Sequence, residues 1–234
     1  MQDSSRTEFG RGFARGGTIA VAMVPVAMLF GALAVQTGLS FAETVLMSAA
    51  IFAGASQLVG LELFGQHVPA WLIVFSIFAV NFRHVLYSAA LGRRTGHWSE
   101  GARAFGFFFL TDPQFAESER RAESGTLLSF AWYMGVAVPL YSVWIGGTTL
   151  GAWFGGMIPD AHALGVDFLM PIYFLGLVIG FRKRPLWLPV VLSSSAASVL
   201  AYHLVGSPWH VSLGALAGIL YAVVFTSSSE EAKP

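Results

Sequence analysis

The charged residues of this sequence are spaced so as to leave long stretches with no Asp, Glu, Lys or Arg: 16–42, 44–61, 63–82, 124–159, 168–181 and 185–229. A helix crossing the hydrocarbon core of a bilayer needs about 20 mostly apolar residues. The runs therefore predict transmembrane helices near 17–36, 42–65, 70–92, 127–150, 166–181, 186–205 and 209–226. The last run is long enough for two crossings, with Val205-Gly206-Ser207-Pro208 as the turn between them. Only 11% of the 234 residues are charged and 55% are hydrophobic, whereas a soluble domain carries about a quarter charged residues. Such a chain has too little polar surface to face water. The expected fold is an all-α membrane protein, a polytopic bundle of about six or seven segments forming one domain over 1–234, with short tails at 1–15 and 227–234. A formal net charge of zero gives a nucleic-acid partner no electrostatic support, and the absence of cysteine excludes disulfides and thiolate metal sites.

Arg6, Arg11 and Arg15 precede the first apolar stretch, as in a signal peptide, but that stretch exceeds the usual signal core of about 7–15 residues. It reads as a retained helix. Arginines cluster again at Arg93, Arg94, Arg103, Arg120 and Arg121, and at Arg182-Lys183-Arg184, while the other connections hold no Lys or Arg. Basic loops face the cytoplasm, which puts the N-terminus there too. Three apolar segments separate the first two clusters, and three crossings would place them on opposite sides. The conflict disappears if one segment enters and leaves on the same side. The segment at 42–65 is the candidate, because Ala53-Gly54-Ala55-Ser56 interrupts its middle and Glu43 and Glu62 flank it. Non-helical backbone at membrane depth survives only where protein or a water-filled cavity covers it, so a break there marks a substrate site.

Ionisable groups inside a span cost at least about 2.5–3.5 kcal/mol each and are functional candidates for that reason. The sequence offers Glu62, Asn81-Phe82-Arg83-His84, Asp112 beside Pro113, and Asp167, with Gly54, Ser56 and Gln57 adding backbone, hydroxyl and amide groups. On a helix Asn81 and His84 share one face, and Arg83 and Tyr87 another. Arg83, or an opened helix end near Ser56, suits a carboxylate. Asp112 or Asp167 suits an ammonium group or a coupling proton. The plainer alternatives are that Arg83 and His84 snorkel to the cytoplasmic interface and that Asp167 merely starts a helix. Trp71, Trp98, Trp153, Trp187 and Trp209 fall near predicted span ends and read as interface anchors. Glycines spaced by four at Gly147, Gly151 and Gly155, at Gly176 and Gly180, and at Gly214 and Gly218 permit close helix approach. Matches between Leu46-Met47-Ser48 and Leu127-Leu128-Ser129, each followed at equal spacing by a glycine, raise the prospect of an internal repeat.

Four blocks, in order, carry a family resemblance: Phe52-Ala53-Gly54-Ala55-Ser56-Gln57, Val80-Asn81-Phe82-Arg83-His84-Val85-Leu86-Tyr87-Ser88, Leu110-Thr111-Asp112-Pro113-Gln114-Phe115-Ala116 and Val166-Asp167-Phe168-Leu169-Met170-Pro171. Together they resemble the AzlC (YgaZ-like) family, the large subunits of bacterial branched-chain amino acid exporters. The resemblance implies export of leucine, isoleucine and valine, with methionine a further candidate substrate. It also implies a small hydrophobic AzlD-like membrane subunit as partner and the bacterial inner membrane as location. It implies no cofactor, and the glycine-rich stretches lack the lysine of a phosphate loop. The motif residues Gly54, Ser56, Gln57, Asn81, Arg83 and His84 become candidates for substrate binding, and Asp112 and Asp167 for proton coupling or gating. In one departure, Pro113 replaces an acidic residue that the family often has, leaving Asp112 as the one carboxylate of its block. Phe52, Leu58 and Phe82 are the expected apolar walls of an alternating-access site. Two other readings stand beside export: an intramembrane hydrolase using Ser56 with His84 or His203, and an assembly subunit that does not itself transport.

Overall fold

The computed structural model describes residues 2–65, 68–155, 182–206 and 209–230, together with 172, 175–176 and 178–179. Asp167 and most of the expected 166–181 crossing lie outside the described residues. Backbone contacts divide the chain into two compact units, Met1–Val166 and Asp167–Pro234. Among the described residues the secondary structure is entirely helical.

The first unit is built on α1 (Gln2–Gln36) and α7 (Phe130–Gly155). They run parallel, with Gly12 beside Trp132, Gly31 beside Thr148 and Gly155 beside Ala32. A Cβ at Gly12 would stand 2.2 Å from the Trp132 carbonyl oxygen, and one at Gly151 1.9 Å from that of Met28. The glycine spacing seen in the sequence thus serves packing within the chain, and any larger residue would force the two backbones apart. α1 begins fifteen residues before the expected start at 17, so the N-terminal basic segment is helical.

The segment at 42–65 is two short helices, α2 (Phe41–Ile51) and α3 (Gly54–Gly65). Ser40 caps α2: its hydroxyl accepts from the Glu43 amide, and the Glu43 carboxylate accepts from the Ser40 amide at 2.8 Å. α2 ends because Phe52 adopts a left-handed conformation, φ 43° and ψ 46°, which costs a non-glycine residue about 1–3 kcal/mol. Packing offsets that strain, since the Phe52 ring meets Tyr141 edge-on at 5.0 Å. The chain then turns back. A Cβ at Gly65, the last residue of α3, would lie 3.1 Å from Thr37 Cγ2, just ahead of α2. Eleven residues of helix reach only about 16 Å, so α2 and α3 form a hairpin that penetrates halfway and leaves where it entered. α4 (Ala70–Arg94) then crosses in the opposite direction to α1.

The connection between the expected helices at 70–92 and 127–150 holds a second hairpin, α5 (Glu100–Phe108) and α6 (Asp112–Glu123). Its tip, Phe109, touches Tyr141 at 5.3 Å and Phe52 at 6.4 Å. The outer end of α6 is held to α1 by ion pairs from Glu117 to Arg15 (2.7 Å) and from Arg121 to Glu8. The two hairpins therefore enter from opposite ends of the unit and meet tip to tip. The same ion pairs put the first two arginine clusters at one end, which satisfies the charge rule with two crossings and one re-entrant segment. Trp98 corrects one expectation: it is buried, donating to the Leu128 carbonyl at 2.9 Å, and is not an interface anchor.

In the second unit α8 (Trp187–Val205) and α9 (Trp209–Glu230) form an antiparallel pair. Ser194 donates to the Gly214 carbonyl at 2.8 Å, and Gly214 and Gly218 give Ser198 and Ser194 room to approach. Across the chain, α1, α4 and α8 are long and apolar enough to cross a membrane.

Candidate functional site

Both hairpin tips point at the middle of α4, and the candidate residues gather there. Arg83 lies near the centre of this 25-residue helix. With about 100° between successive residues, Asn81, His84, Tyr87 and Arg83 occupy one continuous arc. Phe78, Phe82, Val85 and Leu86 occupy the opposite side and are exposed. Phe82 therefore faces outward and is not a wall of the site, while Phe52 and Leu58 are core residues.

At one edge of the arc, Ser56 on the first turn of α3 donates its hydroxyl to Asn81 Oδ1. At the other, Arg83 Nη1 stands 3.0 Å from Asp112 Oδ1, which also accepts from Tyr87 OH at 2.9 Å. Asp112 is the first residue of α6, where exposed amides favour a carboxylate. Pro113 falls in that same first turn, where its missing N–H costs nothing, and this gives the departure from the family pattern a local structural reason. Tyr87 is fixed by stacking on Phe115, with ring centroids 4.1 Å apart. Between the two edges His84 Nδ1 donates to the Asn81 carbonyl at 3.3 Å. Arg83 is thus held at mid-helix by the first residue of α6.

Gln57 and Gly54 do a different job. Gln57 is fully buried, its Nε2 donating to Ser48 at 3.0 Å and its Oε1 accepting from Trp144 Nε1 at 3.1 Å. Ser48 and Thr148 share a further hydrogen bond of 2.9 Å. This network ties α2, α3 and α7 together behind Ser56. Gly54 completes it, since a Cβ there would stand 2.7 Å from the Trp144 ring. Ser48, Thr148, Trp144 and Tyr87 were not singled out as site residues from the sequence. Tyr87 alone carried a usable signal, its helical spacing from Arg83. The Ser56 hydroxyl bonds to Asn81 and the His84 ring to backbone, so no serine–imidazole hydrogen bond links these two residues.

An apolar groove of about 660 Å³ adjoins the polar arc, lined among others by Leu46, Met47, Ile51, Phe64, Ile73 and Ile77. Gly60 and Ile77 pinch its floor, a Cβ at Gly60 lying 3.1 Å from Ile77 Cδ1. Ser56 is one helical turn from Gly60, and Asn81 one turn from Ile77. The groove therefore ends a turn away from the Ser56–Asn81 contact.

A family model described as AzlC protein matches residues 18–158, which run from the middle of α1 through α7 and include both hairpins. The chain belongs to the AzlC family. It is similar to the inner membrane protein YgaZ of Escherichia coli strain K12, 29% identical over 213 residues that cover 88% of this chain and 86% of the relative. An uncharacterized membrane protein of Archaeoglobus fulgidus is 32% identical over 204 residues, covering 86% of this chain and 87% of its own length. One from Helicobacter pylori strain 26695 is 24% identical over 208 residues. No solved structure matches the chain. AzlC-family membership, long apolar helices and membrane-protein relatives make this a membrane protein of transporter-like character.

Proposed function

We propose that the chain is the large subunit of an exporter that carries branched-chain amino acids out across the bacterial inner membrane. It works with a small AzlD-like membrane subunit, and its N-terminus and arginine-rich end face the cytoplasm. The observation that carries this reading is an aliphatic groove that ends one helical turn from a polar arc at the middle of α4. A leucine-sized substrate needs an apolar slot for its side chain and fixed dipoles for its ammonium and carboxylate. The groove supplies the first. Ser56, Asn81 and His84 supply hydrogen-bonding groups at its inner end, and Arg83 supplies a cation for the carboxylate.

In this conformation Arg83 is engaged by Asp112. A substrate carboxylate competes for the guanidinium, and protonation of Asp112 would release it, so substrate and proton act on one ion pair. Gln57 and Gly54 serve as positioning residues that hold the α2–α3 tip against α7. Asp167 remains a second candidate for proton coupling. Alternating access follows if the two hairpin tips part in turn, since each blocks the route from its own end.

The test is efflux of preloaded radiolabelled leucine and valine from cells expressing the chain with and without the small partner. Asn81→Ala and Asp112→Asn variants, matched for membrane abundance, run alongside. Partner-dependent efflux that both variants abolish supports the reading. Efflux at the level of empty cells in every strain, for leucine, isoleucine, valine and methionine alike, removes it.

A further inference from the structure

Buried polar atoms without partners are rare in native proteins, and each asks for an explanation. Among the described residues of the first unit, Arg83 Nε, Thr111 Oγ1, Gln114 Oε1, Ser118 Oγ, Glu119 Oε1 and Tyr133 OH are buried without a well-formed hydrogen bond. Of these, Thr111, Gln114, Ser118 and Tyr133 fall together, the Gln114 side chain lying beside the Tyr133 hydroxyl. These four residues are at most 9% exposed. Thr111, Gln114 and Ser118 recur at spacings of three and four and so share one face of α6. That face meets α7, because Gln114 Nε2 donates to the Tyr133 carbonyl at 2.9 Å. The Tyr133 ring lies against α5 in turn, 3.5 Å from where a Gly106 Cβ would stand and 5.2 Å from the Trp98 ring. The four groups thus lie where the second hairpin meets α7, following α6 from its tip outward.

Their chemistry selects the occupant. Three are hydroxyls, each bringing a donor as well as lone pairs, and the fourth is an amide oxygen. A cation would satisfy lone pairs but leave three hydroxyl hydrogens without acceptors. Water satisfies both kinds and is the usual occupant of polar interior sites. We infer that Thr111, Gln114, Ser118 and Tyr133 line a buried column of water running between the α5–α6 hairpin and α7. The column joins the Arg83–Asp112 pair to the arginine-rich end of the molecule.

Both ends of the column are anchored to charge. Thr111 adjoins Asp112, whose carboxylate holds Arg83 and Tyr87. Ser118 adjoins Glu117, which pairs with the partly exposed Arg15 and Arg120. Glu119 Oε1, also buried and unpartnered, belongs to the neighbouring face of α6, on the side of Asp112 and Phe115. Solvent, and any proton it carries, then reaches Asp112 from the arginine-rich end, while the apolar groove opens from the other. The barrier between the two ends shrinks to the contact of Phe52, Phe109 and Tyr141. This inference assumes nothing about the substrate.

Synchrotron hydroxyl-radical footprinting tests it, since radicals formed from bound water label residues beside that water even where bulk solvent is excluded. The purified chain, without added substrate, is irradiated in detergent micelles, and oxidation of Tyr133 is compared with that of the buried Trp132 and Trp144. The column predicts Tyr133 labelling several-fold above both tryptophans, and its fall to their level in a Thr111→Val/Ser118→Ala variant. Tyr133 labelling no higher than the tryptophans, or unchanged in a folded variant, overturns the inference. If the variant does not accumulate, the wild-type comparison decides alone. Failure of leucine efflux would leave this result untouched, so the two ideas fail separately.

Discussion

Leucine placed at position 112 leaves Arg83 as a partly buried cation in the middle of α4 without its carboxylate. The pair is 3.0 Å apart, and its side chains are 25% and 18% exposed. At an effective dielectric of about 20, unit charges at that separation attract by roughly 5–6 kcal/mol, much of it cancelled by desolvation. Removing one partner of a buried pair costs about 3–5 kcal/mol, and the residual exposure here lowers the expectation to roughly 2–4 kcal/mol. For a chain of this size that corresponds to a melting point lower by roughly 4–16 °C. Asp112→Asn should lose less, because its amide oxygen can still accept from Tyr87 and Arg83. The double variant Arg83→Leu/Asp112→Leu removes both charges and should melt above Asp112→Leu alone. Tryptophan fluorescence during thermal unfolding in detergent gives these midpoints and that of Arg83→Leu alone. A double variant that loses the sum of the two single losses would refute the reasoning, since uncoupled residues add.

Three further outcomes follow from the geometry. Gln57→Leu strips Trp144 Nε1 of its acceptor and Ser48 of its donor. It should cost about 2–4 kcal/mol by thermal unfolding, and a loss under about 0.5 kcal/mol would mean the network contributes little. Arg15→Ala removes a 47%-exposed guanidinium from a glutamate that Arg120 still contacts, so the same assay should register no more than about 1 kcal/mol. The sequence contains no cysteine, so Thr37→Cys/Gly65→Cys offers one thiol pair. Mild oxidation should cross-link it, as read by mass spectrometry of the intervening peptides, and two thiols that stay free would remove the re-entrant hairpin.

Much of this architecture can be read from charge placement. The re-entrant α2–α3 segment followed from bookkeeping over Arg15, Arg93 and Arg94, and its break falls at Phe52-Ala53, one residue ahead of the expected stretch. The close glycine packing of α7 was visible as spacing at Gly147, Gly151 and Gly155, although not that α1 was the partner. The α5–α6 hairpin was hidden. Its helices have only 9 and 12 residues, and charges at Glu117, Glu119, Arg120, Arg121 and Glu123 give α6 the look of a solvated loop. That polarity belongs instead to ion pairs with α1, between residues more than 100 apart in sequence. The same distance explains why Trp144 and Thr148 were missed: their roles depend on Gln57 and Ser48, some 87 and 100 residues away. Around Asn81, Arg83 and Asp112 the residue types sufficed to pick out side chains that the fold brings together. Which of them pair, and that Phe82 turns away, depended on helix orientation set by long-range packing.

The most direct test of the central claim is leucine counterflow into proteoliposomes holding the purified large and small subunits, comparing the unmodified chain with Ile77→Trp and Asn81→Ala. Ile77→Trp fills the groove, and Asn81→Ala removes the hydrogen-bond acceptor of Ser56. The unmodified chain should exchange leucine, with both variants reduced to the rate of empty vesicles while remaining folded by melting point. Exchange that persists in both variants would place the substrate path elsewhere in the molecule.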